Sequence, residues 1–288
     1  MEYHERWPTG SGEEVSHTGS VIGISGSLVV FDCKVCGYAH LSPLPEDRSK
    51  FVEEHFYDGE DGWFEKEASE QLYWNLWHDW KLSFLPGPLL DVGCGAGWLV
   101  KRALDKGIIA WGIEPNKSAF AVAQSLVDRV SPLSLTDMVD FPPLFSSIHM
   151  RLVLEHLVDP LSALRKAREL LKPDGMLYAE VPNDFSLLQR LTRKKPWWIQ
   201  ETHVNYFNRQ SLGRLLESAG FKVEKWYANF PMELFILMGR DYVENPELGK
   251  KCHEARMKME MRHLWLIGYK MLVKMGIGRH VIAVARRV

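Results

Sequence analysis

Cysteine is scarce in this chain: there are four in 288 residues, two in Cys33-Lys34-Val35-Cys36 and the others far apart at Cys94 and Cys252. Thiols so few and so spaced do not build a disulfide framework for a chain of this length, which fits a reducing compartment. No uncharged apolar run approaches the length of a membrane span, and Met1-Glu2-Tyr3-His4-Glu5-Arg6-Trp7 lacks the apolar core of a secretion signal. The expectation is a soluble, cytoplasmic protein with no membrane partner. Excess positive charge is missing as well, since 35 Lys and Arg stand against 37 Asp and Glu for a formal net charge of −2. Without a basic field nucleic acid is not the expected partner, and a small molecule is. Internal repeats and low-complexity tracts do not stand out. What is present is ample core material, 46% hydrophobic residues, enough for one large α/β domain with additions.

The richest stretch is Leu89-Leu90-Asp91-Val92-Gly93-Cys94-Gly95-Ala96-Gly97, an apolar strand ending in an acid, then three glycines at alternate positions before the helix-like run Trp98 to Lys106. A turn of this kind lets a ligand lie against bare backbone. The dinucleotide fingerprint G-x-G-x-x-G would need its third glycine at position 98, where Trp98 stands, so a pyrophosphate is the weaker guess. The next strand pattern, Ile108 to Glu114, ends in an acid about twenty residues beyond the turn, placed to accept both hydroxyls of a ribose.

With these residues the chain resembles the class I S-adenosylmethionine-dependent methyltransferases, whose first motif is acid-x-G-x-G-x-G and whose second strand ends in a ribose-binding acid. The resemblance implies S-adenosylmethionine as cofactor, held by Asp91, Gly93, Cys94, Gly95, Gly97, Trp98 and Glu114. The family's acid that meets the adenine amino group has Asp137 as its nearest match. The fourth strand usually begins Phe-Asp, whereas this chain has Phe145-Ser146.

Alternating strand and helix signals extend the pattern: a helix from Lys117 to Asp128 after an Asn116 cap, strands at Val130–Leu135 and Ser147–Leu152, and a helix at Leu161–Lys172. A Lys172-Pro173-Asp174-Gly175 turn, a strand at Met176–Val181, a helix at Ser211–Ala219, and strands at Phe221–Trp226 and Arg279–Ala285 follow. The expected fold class is α/β: a Rossmann-like methyltransferase sheet with helices on both faces, spanning 49–288 with a C-terminal helical addition, plus a small β-rich N-terminal module over 1–48. The aromatic segment from Ser49 to Trp80 reads as an amphipathic helix packed on the sheet, with Tyr57 or Trp63 able to cap the cofactor. In the C-terminal helix Met257, Met261, Leu264, Gly268, Met271 and Met275 form a stripe for core packing or a homodimer contact, with Arg256, Lys258, Arg262 and Lys270 on the polar face.

The N-terminal knuckle Cys33-x-x-Cys36-Gly37 looks like half a zinc ribbon, but structural zinc takes four ligands and no second cysteine pair follows. His4, His17 or His40 are the other donors nearby. A metal-free relic of the ribbon is the expectation, and no metal is assigned.

Methyl transfer asks the protein for in-line positioning and, for a hydroxyl acceptor, a base. Leu154-Glu155-His156 through Asp159-Pro160 is similar to the family segment after the fourth strand, which makes His156 the first candidate base. His203, in Thr202-His203-Val204-Asn205-Tyr206-Phe207, is the second, with Tyr206 nearby. Arg190, Arg193, Lys194 and Lys195 form a basic cluster that is either a solvated helix face or a phosphate contact. The acceptor is expected to be a sugar or other biosynthetic intermediate methylated at oxygen. A nucleotide-cofactor oxidoreductase and a non-catalytic binding protein on the same fold remain open.

Overall fold

Four antiparallel strands, β1 (Glu2–Pro8), β2 (Glu14–Ser25), β3 (Leu28–Cys33) and β4 (Ala39–Ser42), lie in spatial order β1-β2-β3-β4, with burial alternating along β1 and β2 and continuous along β4. The computed structural model describes residues 2–8, 14–45, 70–139, 144–194, 197–261 and 271–288. The anticipated caps Tyr57 and Trp63 lie outside the described residues.

The second sheet is built from β5 (Leu89–Val92), β6 (Ala110–Ile113), β7 (Val130–Ser131), β8 (Phe145–Arg151) and β9 (Leu171–Pro182). The short β10 (Asn205–Tyr206) pairs with β4 and so completes the N-terminal sheet, crossing the division expected at residue 48. Two further strands, β11 (Phe221–Ala228) and β12 (His280–Arg287), finish the seven-stranded order β11-β12-β9-β8-β5-β6-β7. Pairing is parallel from β9 to β7 and antiparallel on both sides of β12. Because β5 lies between β6 and β8, the chain reverses its direction of travel across the sheet there, and a crevice opens at the carboxyl end of β5.

Helices flank these strands, among them α1 (Gln71–Leu82), α2 (Trp98–Asp105), α3 (Lys117–Leu126), α4 (Pro160–Leu170), α5 (Leu187–Leu191), α6 (Arg209–Ser218), α7 (Glu233–Leu237) and α8 (Pro246–Met261). Local chemistry sets their ends. The Asn116 side chain accepts the Ala119 N–H at the start of α3, and Asp159 accepts the Ser162 N–H at the start of α4, where Pro160 needs no donor. Helix α6 stops before Gly220, whose φ is 82°. Alternation sends neighbouring strand residues to opposite layers. Leu90, Leu177 and Ala179 pack with Leu164 and Leu212, whereas Leu89 and Tyr178 pack with Leu82 and Leu99. Truncating one such leucine to alanine costs about 2–5 kcal/mol.

Three expectations need correction. The Lys172–Gly175 turn sits inside one continuous strand, where pairing jumps from Leu171 opposite Phe145 to Met176 opposite Ser147, so the turn is an outward bulge. The strand expected from Val130 to Leu135 shortens to two residues because Leu135–Asp137 winds into a 3-10 turn. On α8 the buried face is Cys252, Arg256 and Glu260 rather than the methionines: Glu260 accepts the Tyr73 hydroxyl, and the Arg256 guanidinium lies 5.8 Å from the Tyr73 ring centroid. Leu264 and Gly268 lie outside the described residues, and Met271 and Met275 are exposed.

Candidate active site

The turn after β5 takes its shape from glycines 93, 95 and 97, all in the left-handed region at φ 64°, 53° and 80°. The amides of Gly93 and Cys94 both donate to the Ile113 carbonyl, at 2.9 and 3.1 Å, which ties the turn to the end of β6. A Cβ on Gly95 would meet nothing within 4 Å, so that side is bare backbone facing open space. A Cβ on Gly97 would press on Val127 and Ala123 at 3.2 and 3.3 Å; this glycine serves the contact with α3, not the crevice.

Glu114 follows β6 and sits at 5% exposure beside the turn. Its two oxygens accept the amides of Gly95 and Asn116, both at 2.9 Å, leaving further lone pairs on each. Burial pushes its carboxyl above the ordinary range against the opposing pull of those amides. Asp91 lies in register with His149 of β8, and its Oδ1 is 2.6 Å from the His149 Nδ1. The imidazole stacks on Tyr178 with centroids 4.9 Å apart, and burial lowers its basicity while Asp91 works the other way. Its Nε2 has no partner among the described residues.

Asp91, Gly93, Cys94, Gly95, Trp98 and Glu114 line one cavity of about 720 Å³. Cys94 keeps its proton, since burial raises its thiol strongly. Asp137 does not reach this cavity. Its carboxylate turns back to accept the Ser134 amide and hydroxyl, both at 2.7 Å, and Ser134, Leu135 and Thr136 line the wall instead. A short carboxylate two residues into a 3-10 turn finds its own N-cap closer than any ligand.

The cavity continues to the two candidate bases. His156 ends a 3-10 turn after β8, and its Nδ1 is 2.7 Å from the Thr202 carbonyl, so Nδ1 carries the proton and Nε2 a lone pair. The His203 ring stands 5.0 Å from that of His156, edge to face, with the Gln200 amide nitrogen 3.2 and 3.0 Å from its two ring nitrogens. Burial keeps both imidazoles neutral: His156 is lowered, and His203 is pushed down to about 3. Glu155 is wholly buried, neither carboxyl oxygen has a partner among the described residues, and burial raises it well above the carboxylate range. Donor atoms of Glu155, His156 and His203 lie within 4.8 Å of one another, a set able to hold a divalent cation as well as to move a proton.

Several lining residues were not singled out from sequence. His149 faces Asp91 across 58 positions of chain. Arg279, just before β12, keeps its surface exposed although protein surrounds it, because it faces the cavity; Glu233, Tyr242 and Asp184 share that end. Four residues that line the cavity each carry a buried polar atom without a partner among the described residues: Trp98 Nε1, Trp198 Nε1, Asp184 Oδ2 and Glu233 Oε2. The basic cluster is not part of it: Lys194 pairs with Asp241 and Glu244, Arg190 and Arg193 do not line the cavity, and Lys195 is outside the described residues.

Residues 70–225, more than half of the chain, match the methyltransferase domain family. The ubiquinone biosynthesis O-methyltransferase of Pseudomonas entomophila is 30% identical over 116 residues, 37% of this chain and 49% of that protein. The Histophilus somni enzyme of the same name is 32% identical over 106 residues, 33% of this chain and 44% of that protein. The chain spans about half the length of the curated relatives it matches. Among solved structures, a SAM-dependent methyltransferase from Archaeoglobus fulgidus superposes with a TM-score of 0.54 at 18% identity, covering 79% of this chain and 100% of that one. The 1,6-didemethyltoxoflavin-N1-methyltransferase of Burkholderia thailandensis gives 0.51 at 16% identity, covering 93% and 99%. At such identities the likeness is one of fold.

Proposed function

The chain belongs to the class I S-adenosylmethionine-dependent methyltransferases, and from that premise we propose that it binds S-adenosylmethionine against the Gly93–Gly97 turn and methylates an oxygen of a small biosynthetic intermediate. The observation that carries this reading is Glu114, a buried carboxylate that accepts the Gly95 amide of the turn and the Asn116 amide of its own loop, in a cavity that two neutral histidines also line. The open side of Gly95 suits the cofactor's polar parts. A ribose would set its hydroxyls on the free lone pairs of Glu114. S-adenosylmethionine, when bound, supplies an electrophilic methyl group.

For the acceptor, the protein's work is to position an oxygen in line, exclude water and take a proton. The Nε2 of His156 carries the lone pair for that proton, because the Thr202 carbonyl fixes the tautomer, and His203 stands close enough to share the duty. Arg279 supports an acceptor bearing a carboxylate or phosphate, since a guanidinium facing a cavity selects such groups in planar, paired fashion. A sugar acid, a phosphorylated sugar or a phenolic acid meets these demands.

Incubation of the purified chain with methyl-labelled S-adenosylmethionine and metabolite extracts tests the reading, with label expected on a small anionic acceptor. Thermal shift sorts out the competing classes, because only a native-state ligand raises the melting temperature. Preference for NADH over S-adenosylmethionine would overturn the assignment. Cofactor binding with no acceptor in any extract would favour a non-catalytic role.

A further inference from the structure

The N-terminal sheet gathers four donors that are far apart in sequence. His17 comes from β2, Cys33 ends β3, Cys36 lies in the following turn and His40 is in β4; their ligating atoms all fall within 4.8 Å of one another. His4, on β1, is not among them. The Nδ1 of His17 is 3.6 Å from the Cys33 sulfur and 3.3 Å from the Cys36 sulfur. Zinc–sulfur and zinc–nitrogen bonds of about 2.3 and 2.0–2.1 Å in a tetrahedron place sulfur and nitrogen about 3.6 Å apart. The backbone amide of Cys36 points at the Cys33 sulfur at 3.5 Å, and both cysteines are free of disulfide.

The surroundings prepare these atoms as ligands. Asn205 donates its amide to the carbonyls of Leu154 and Leu157, which turns its Oδ1 toward the Nδ1 of His40 at 2.9 Å. That bond puts the proton on Nδ1 and leaves Nε2 as the lone pair, and Nε2 is buried with no hydrogen-bond partner among the described residues. Trp7, at 1% exposure, closes over both imidazoles with centroid distances of 5.3 and 4.5 Å. An unpartnered imidazole nitrogen beside two thiols in an aromatic shell is costly as it stands. Two thiolates, two neutral imidazoles and one divalent zinc sum to zero charge, which suits a buried site.

We propose that His17, Cys33, Cys36 and His40 bind one structural zinc ion, and that Asn205, as its outer partner, fastens the N-terminal sheet to the roof of the cavity. The link is short: Asn205 is two residues from His203, and the carbonyls it holds flank Glu155 and His156. The sulfur–nitrogen donor set in tetrahedral spacing selects zinc over magnesium or calcium, which take oxygen ligands. Half of a zinc ribbon is thus completed by two histidines from strands, in place of a second cysteine pair.

Elemental analysis of full-length protein purified without a metal-affinity step should find about one zinc per chain, and His156→Ala should retain it, which separates this site from the Glu155 group. Replacement by cobalt in the wild type should give thiolate-to-cobalt charge-transfer bands and the visible bands of a tetrahedral ion, a readout independent of whether any variant folds. Cys36→Ser should weaken the thiolate bands, since Cys33 alone then supplies them, or lose the metal. Asn205→Leu should weaken zinc in chelator competition by about 10- to 100-fold, with Asn205→Asp closer to wild type. A wild-type protein that carries no zinc and gives no cobalt spectrum overturns the site, as does a Cys33–Cys36 disulfide found by mass in freshly purified protein. Unchanged chelator competition in Asn205→Leu removes Asn205 from its outer shell.

Discussion

The Nδ1 of His149 and the Oδ1 of Asp91 meet at 2.6 Å on neighbouring parallel strands, both buried, at the floor of the cavity. The pair fixes the carboxylate beside the glycine turn and leaves His149 Nε2 buried with no hydrogen-bond partner among the described residues. Asp91→Ala should strand a buried imidazole donor and cost about 1–3 kcal/mol, a fall in melting temperature of roughly 2–4 °C per kcal/mol in ligand-free calorimetry. Adding His149→Phe should recover part of the loss, since both partners are then gone. Strictly additive losses would show that the two residues are not coupled.

Glu114 is the carboxylate assigned to the ribose. Glu114→Ala should weaken S-adenosylhomocysteine by about 10- to 100-fold, the range of a lost charge-assisted hydrogen-bond pair. Isothermal calorimetry on a variant with wild-type circular dichroism measures it. Unaltered affinity would remove Glu114 from the cofactor site.

Alanine at the base should slow turnover by about 10² to 10⁴ while S-adenosylhomocysteine affinity stays near wild type. His156→Ala is expected to be the more severe, because His156 itself stands on the short turn that follows β8 and the Thr202 carbonyl sets its tautomer. His203 rests on a loop and on one side-chain amide. Full turnover in both variants would leave positioning and desolvation as the whole of catalysis.

Arg279→Met should raise the acceptor KM about tenfold or more with little change in cofactor affinity, as expected when a charged contact to an anionic group is lost. The same variant tested on a neutral analogue of the acceptor should lose nothing further. An equal effect on both acceptors would show that Arg279 packs the wall without reading charge.

Acid should destabilise the fold through its buried histidines. Burial holds His203 down to about 3 and His280 to about 4, whereas both titrate near 6.5 once unfolded. In that interval the unfolded chain binds more protons, so the stability present above about pH 6.5 is lost as pH falls toward the folded values. Glu155 has the opposite sign: raised in the fold, it makes stability fall as pH climbs past the ordinary carboxylate range. Melting temperatures from about pH 7.5 to about 4.5 should therefore decline less steeply in His203→Gln than in wild type. Equal slopes would mean that His203 is not held neutral.

Two kinds of information separate cleanly in this protein. The glycine turn, the acids at the ends of β5 and β6, the Asn116 cap and the stop at Gly220 were legible from the chain alone. Each is a short-range matter of which residue tolerates a given φ or satisfies a nearby amide. Asp137 shows the limit of that logic, for the acid sits near the expected place but its own turn captures it. Arg256 belongs to the polar face of its helix by pattern, yet Tyr73 of α1 covers it and meets Glu260 beside it. Strand order and register brought His149 to Asp91, set Arg279 into the cavity and drew His17 and His40 to the Cys33–Cys36 knuckle. Those meetings depend on which strands become neighbours, a choice made by burial of whole sheet faces over the full chain, and a local pattern carries no record of it.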